Sequence, residues 1–284
     1  MQVWRALQST MMSKSLKFVF AEAASYYKFR APYADAALDY VTSVLDLGAA
    51  SRVLDLGCGP GSLALPLSQR VGSVLAVDPC HAMIDEGQAR AVEAGRDNID
   101  WLCTRAEEIR ESDIGTFSLA IIGQAFHWMD RDLVLHKLTQ LLDPQTGALV
   151  LMNPGKRRPQ ESWEPTTSEV IARYLAKPQR HERMNPEPEH EPALRRSKRF
   201  AEFTAREFST HVQRDIRAII GHTYSLSTSP RSAFSQRVHD FENDLTESLL
   251  ALNPSGIFHE RVETEVILAR MRGSATDHAC DPPN

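Results

Sequence analysis

The stretch Val53-Leu54-Asp55-Leu56-Gly57-Cys58-Gly59-Pro60-Gly61 constrains this chain more than any other. An apolar run of strand length ends abruptly in alternating glycines, and a helix-compatible segment, Ser62 to Gln69, follows. Glycine supplies the left-handed backbone conformations that a tight strand-to-helix turn needs, and it leaves no Cβ between main chain and ligand. A helix starting directly after the loop is expected to offer unpaired N–H groups at its N-terminus. The spacing is G-x-G-x-G, whereas the dinucleotide fingerprint G-x-G-x-x-G would put its third glycine where Ser62 stands. Asp55 lies two residues before the first glycine. Asp78 ends the next apolar run, where a carboxylate is placed to accept both ribose hydroxyls of an adenosine.

The same rhythm continues. Val74–Val77, Ile99–Cys103, Phe117–Ile122 and Ala148–Met152 read as buried strands, with helices over Ala82–Ala94 and Leu133–Leu142 between them. Near-continuous apolar strands alternating with helices imply a parallel sheet covered on both faces. Upstream, residues 13–48 read as helical with a break near Pro32. Downstream, the prolines and mixed charges of residues 153–200 predict an insertion or lid of short helices and loops. Phe203–Val212 and Val262–Met271 then predict strands, and Asp215–Tyr224 and Ser232–Leu252 helices. The expected organisation is one domain over residues 1–273. It divides into N-terminal cap helices (1–48), a cofactor-binding half (49–152), a cap and substrate insertion (153–230) and a terminal helix and strand (231–273), with a flexible tail at 274–284.

Composition narrows the function class. A net charge of -5 over 284 residues argues against a general nucleic-acid binder. No apolar run reaches the roughly 18 residues of a membrane span, and the first residues lack the form of a signal peptide, so a cytoplasmic protein is expected. Cys58, Cys80, Cys103 and Cys280 show neither C-x-x-C nor Cys/His zinc spacing. They read as free thiols, with no metal site expected. The basic run Arg195–Arg199 reads as a solvated face or as an attractor of anions.

The motifs carry a resemblance. VLDLGCGPG resembles motif I of the class I methyltransferases, and Leu75-Ala76-Val77-Asp78-Pro79 resembles their second motif. The likeness continues through Arg105-Ala106-Glu107-Glu108 and Ile122-Gly123-Gln124-Ala125-Phe126-His127-Trp128-Met129-Asp130. Residues 26–152 are similar to the small-molecule branch of that family, which includes trans-aconitate-type and natural-product methyltransferases. Tyr26-Tyr27-Lys28-Phe29-Arg30-Ala31-Pro32-Tyr33 resembles a segment that folds over the cofactor in such enzymes, although here Ala31, not proline, follows the arginine.

The resemblance implies a doubly wound α/β fold: a seven-stranded, mostly parallel sheet with the last strand antiparallel, helices on both faces and a helical cap. It implies S-adenosyl-L-methionine as cofactor and S-adenosyl-L-homocysteine as product. Gly57, Gly59 and Gly61 would lie under the methionine part, with Asp55 near its ammonium and Asp78 on the ribose. Met83 would pack on the adenine face, and Ala106 and Glu107 would meet the adenine edge. Gln124 and Ala125 would line the region of the sulfonium. Tyr26, Arg30 and Tyr33 would close the top, with Arg30 a partner for the cofactor carboxylate. Simpler roles stand beside these: Asp55 as an acceptor for loop N–H groups, and Met83, Tyr26 and Tyr33 as packing residues. His127 is the candidate catalytic base for an acceptor hydroxyl; its alternative is a hydrogen bond to backbone with Trp128 packed beneath. His222 and Tyr224 are placed to reach the same pocket if their helix covers it. The expected reaction is methyl transfer to an O, N or C atom of a small organic acceptor. A nicotinamide-dependent oxidoreductase and a non-catalytic S-adenosylmethionine-binding protein are the rival readings.

Overall fold

The computed structural model describes residues 18–110, 114–154, 163–175 and 190–272. The expected helix over 13–17, much of the segment 153–200, Cys280 and the tail lie outside them. A helical turn over residues 18–23 runs into a 3-10 helix, Ala24–Phe29, and an extended link leads to α1 (Asp35–Val44). Then come β1 (Arg52–Leu56), a single short turn α2 (Ala64–Leu67), β2 (Ser73–Val77), α3 (His81–Glu93), β3 (Ile99–Leu102) and β4 (Leu119–Gly123). The chain continues through α4 (Arg131–Leu141), β5 (Ala148–Pro154), α5 (Glu164–Tyr174), α6 (Glu191–Ser197), β6 (Phe200–Asp215), α7 (Ile216–Ser225), α8 (Val238–Leu252) and β7 (Ile257–Met271).

The seven strands form one sheet in the order β3-β2-β1-β4-β5-β7-β6. The pairings from β3 through to β5 are parallel, and β7 runs antiparallel to both β5 and β6. The expected doubly wound sheet with an antiparallel last strand is therefore present. Its apolar strands are continuous because each strand feeds two cores. Val53, Leu119, Ile121, Val150 and Met152 pack on one face with Leu38 and Val41 of α1. Leu54, Leu56, Ala120, Ile122 and Leu151 pack on the other with Leu135 and Leu138 of α4. Each such side chain, fully buried, contributes about 1.5–3 kcal/mol. A third core of Trp163, Val170, Tyr224, Phe234 and Phe241 joins α5, α7 and α8 into the cap.

Two helix starts are fixed by aspartates at their N-caps. Asp130 accepts from the Leu133 amide at 3.1 Å, and Asp215 from the Ala218 amide at 2.7 Å. The helix expected over Ser232–Leu252 is instead a 3-10 stretch, Arg231–Arg237, kinked at Ser235 (φ 52°), followed by α8.

The β6–β7 hairpin matters most for the site. β7 pairs with β5 from Thr264 to Arg270, but with β6 from Ile257 to Met271. Residues 257–263 therefore overhang the carboxyl end of the parallel strands. In open α/β sheets that is the edge where ligands bind.

Candidate active site

A cavity of about 490 Å³ opens at this edge. That volume lies within the usual range of small-molecule sites. Its floor is the loop after β1. Gly57 (φ +68°) and Gly59 (φ +53°) occupy the left-handed region. A Cβ on Gly57 would lie 2.3 Å from the Ala125 Cβ, so this glycine lets the loops after β1 and β4 touch. Gly61 also has positive φ (+78°), but the space beside it belongs to the Trp101 indole, 2.8 Å from where its Cβ would be. Gly61 does not line the cavity.

The loop spends its amides on itself. Gly57 and Cys58 donate to the Val77 carbonyl at 2.7 and 3.0 Å, and Gly61 to the Cys58 carbonyl at 3.0 Å. The Gly59 amide donates to Asp78 Oδ2 at 3.0 Å, while the Cys80 amide donates to Oδ1 at 2.9 Å. The helix that follows is one short turn, not the anion-binding helix terminus expected from the sequence. The glycine loop thus acts as a shaped floor locked by Asp78. Burial pushes the Asp78 carboxyl up, partly offset by the Cys80 and Gly59 amides.

Asp55 sits beneath this floor, 1% exposed. Its carboxyl is pushed up to about 8, chiefly by burial; the Ala64 amide opposes this and the Asp78 charge adds to it. The Ala64 amide approaches without completing a hydrogen bond, and neither Asp55 oxygen has a partner of full geometry. A buried carboxyl without donors, on a cavity wall, is suited to a cationic group entering that cavity.

The wall after β4 comprises Gln124, Ala125, His127 and Trp128. Gln124 holds φ +52°, a strained conformation for a side-chain-bearing residue, fixed by its amide's bond to the Met152 carbonyl at 3.1 Å. His127 lines the cavity beside Trp128, ring centroids 4.8 Å apart. Met83 and Ala106 line the opposite side. Glu107 does too, but its carboxylate is engaged: Oε1 accepts from the Asp130 amide at 2.9 Å and Oε2 pairs with Arg105 at 3.3 Å.

Residues 18–33 arch over the top. Phe20 meets Trp128 edge to face at 5.8 Å. Tyr27 lies over Gly59, with the Arg30 guanidinium 4.0 Å from its ring centre. The Tyr33 hydroxyl fills the space beside Gly123. Arg30 is anchored on the cap: Nε donates to Ser225 Oγ at 3.2 Å and Nη2 to the Ser225 carbonyl at 2.6 Å. Arg214, 3% exposed, donates to the Phe29 carbonyl and pairs with Glu260 at 2.5 Å. Gly221 in α7 lets the Phe29 ring lie where a Cβ would be, 2.1 Å from Cδ2.

Of the residues singled out from sequence, Arg30, Tyr33, Asp55, Gly57, Gly59, Asp78, Met83, Ala106, Glu107, Gln124, Ala125 and His127 share this one cavity. Tyr26 does not; its ring packs edge to face on Tyr224 at 5.4 Å, in the cap core, and the neighbouring Tyr27 takes the cavity position. His222 reaches the wall, whereas Tyr224 is a core residue bonded to Glu242 at 3.0 Å. Sequence reasoning missed Phe20, Tyr27 and the trio Val262, Glu263 and Thr264. The last three become visible only once the hairpin overhang is known. Cys58, Cys80 and Cys103 form no disulfide among the described residues, and burial pushes the Cys58 thiol well up.

Residues 53–145 match the family model of a methyltransferase domain. An uncharacterized methyltransferase of Mycobacterium tuberculosis is 32% identical over 159 residues, 56% of this chain and 60% of the relative. The chain thus spans less than two thirds of that relative's length. A 23S rRNA uracil C5 methyltransferase of Salmonella typhi is 39% identical over 64 residues, 22% of this chain and 15% of that protein. Among solved structures, a protein assigned as a type II methyltransferase from Anaeromyxobacter dehalogenans superposes with a TM-score of 0.58 at 21% identity, covering 86% of this chain and 97% of that one. The YcgJ protein of Bacillus subtilis gives 0.52 at 18% identity, covering 84% and 99%. No helix among the described residues is long and apolar enough to cross a membrane. Over residues 53–145 the chain is thus similar to methyltransferase domains, and its sheet order is that of a methyltransferase-like α/β fold.

Proposed function

We propose that this chain moves the methyl group of S-adenosylmethionine to an O, N or C atom of a small organic acceptor held in the same cavity. The observation that carries the reading is the continuity of that cavity. It runs from Asp78, Met83 and Ala106, suited to an adenosine, past the glycine floor to His127, His222 and Glu263, which the adenosine does not need. Bound there, the cofactor would supply an electrophilic methyl group, so the protein's work is alignment and exclusion of water.

The residues fit that group. Asp78 keeps lone pairs for ribose hydroxyls while holding the loop. The Asp55 carboxyl, lacking donors, suits the methionine ammonium. Tyr27, Arg30 and Tyr33 close the cavity over both ligands. His127 stands on the wall beyond Gln124, where it takes the proton of an acceptor that needs deprotonation. Isothermal titration with S-adenosylhomocysteine, with NAD as control, tests this. Micromolar binding of the former, lost in Asp78→Ala, is expected; binding of NAD alone would refute the proposal.

A further inference from the structure

The acceptor end of the cavity contains one charged group that the cofactor reading leaves unused. Glu263 lies on β7 just beyond the last pairing with β5, at Thr264, so the overhanging hairpin carries it to the cavity wall. It is 6% exposed. Its Oε1 is sealed from solvent and ion-paired with the half-exposed Arg261, whose Nε lies 2.9 Å away, off the line of a hydrogen bond. Oε2 receives no hydrogen bond from any described residue. A carboxylate this buried normally has its full set of donors, because leaving one unpaired costs on the order of 1–3 kcal/mol or more. Oε1 is closed to a ligand, so Oε2 is the atom that can take a donor from the cavity's occupant.

The surroundings give the sign of that occupant. The two arginines on the wall are committed elsewhere: Arg30 to Ser225 and Arg105 to Glu107. The Thr264 hydroxyl beside Glu263 already accepts from the Ala34 amide at 3.0 Å. The half-exposed Arg261 offsets part of the Glu263 charge under solvent screening, but an anionic acceptor would still bring like charge, and no donor, to Oε2. A cation would form a charge-assisted hydrogen bond there.

We propose that Glu263 anchors a cationic group, an ammonium or a guanidinium, of the methyl acceptor; this rests on the methyltransferase reading above. The anchor positions the acceptor and need not be the atom that is methylated.

The test uses the full chain loaded with S-adenosylhomocysteine and three probes on one frame: phenethylamine, 2-phenylethanol and phenylacetate. Binding is read by saturation-transfer NMR titration. Phenethylamine is expected to bind at least tenfold more tightly than 2-phenylethanol, with phenylacetate weakest. In Glu263→Gln, which keeps the shape and removes the charge, that tenfold preference disappears, while affinity for S-adenosylhomocysteine stays within twofold. The proposal is overturned if the ammonium probe has no advantage, if its advantage survives in Glu263→Gln, or if no probe binds the loaded protein. Failure of the wild-type chain to bind S-adenosylhomocysteine at all would overturn the methyltransferase reading, and this one with it.

Discussion

Replacing Asp55 by Asn should stabilise the protein, and by an amount that grows with pH. The Asp55 carboxyl titrates near 8 in the folded chain against an ordinary value of 3.8. Below about pH 4 the group is protonated in both states, and the folded state loses nothing by ionisation. Between about 4 and 8 the unfolded chain ionises and the folded one holds its proton, so stability falls by about 1.36 kcal/mol per pH unit. By pH 7 the loss is about 4 kcal/mol. Asp55→Asn has no such loss, and its neutral amide fits the same space. The nearby Asp78 charge adds to the upward shift of Asp55, after burial and against the Ala64 amide. Urea unfolding of both proteins at about pH 5 and pH 8 measures the effect. The variant's advantage should widen by about 4 kcal/mol across that range. At about 2–4 °C per kcal/mol for a chain of this size, the melting temperatures should separate by about 10 °C. An advantage that stays constant with pH, or narrows as pH rises, would refute the reasoning that burial keeps Asp55 protonated.

Other outcomes follow from the same geometry. If the cofactor ammonium ionises Asp55, binding of S-adenosylhomocysteine at pH 7 should release close to one proton, read as a buffer-dependent enthalpy in isothermal titration; Asp55→Asn should release none. Gly57→Ala combines a left-handed φ with a Cβ 2.3 Å from Ala125, and should cost about 2–5 kcal/mol in urea unfolding while weakening S-adenosylhomocysteine binding. Arg214→Met strips the partner from Glu260, whose side chain is only 10% exposed, and should cost about 3 kcal/mol, with faster tryptic cleavage of the segment arching over the cavity. Gly221→Ala, which collides with Phe29, should raise the same cleavage rate with a smaller loss of stability.

The central half of the fold was legible because its signals are local. Val53–Leu56 and Val74–Val77 are short, apolar and bounded by glycine or Asp-Pro, and both are strands as read. Gly57 directly follows β1 and Asp78 directly follows β2, and both line the cavity. Where the reading failed, two neighbouring residues competed for one place or a distant partner decided. Tyr26 and Tyr27 are alike in sequence; only the 3-10 geometry of Ala24–Phe29 turns the second toward the cavity and the first toward Tyr224. Gly61 looked like part of the ligand floor, but Trp101, forty residues later, claims its space. Glu263 gave no local signal at all, since its burial depends on how far the hairpin outruns β5.

The position of β7 has a consequence for synthesis. It is the latest of the seven strands to be translated, yet it occupies an interior place, between β5 and β6. Domains assemble from the N-terminal side as the chain emerges, and the parallel half, with its nearby βαβ partners, is free to form early. Until residues 257–271 leave the ribosome, however, β5 exposes a bare edge and β6 has no strand to pair with. The last strand joins Ala148 to Arg270 across the whole cap, a contact of the slow, non-local sort. It also brings Val262, Glu263 and Thr264 to the cavity. The ligand site is therefore complete only once β7 has paired, and until then the open edge of β5 is a place where another strand could add.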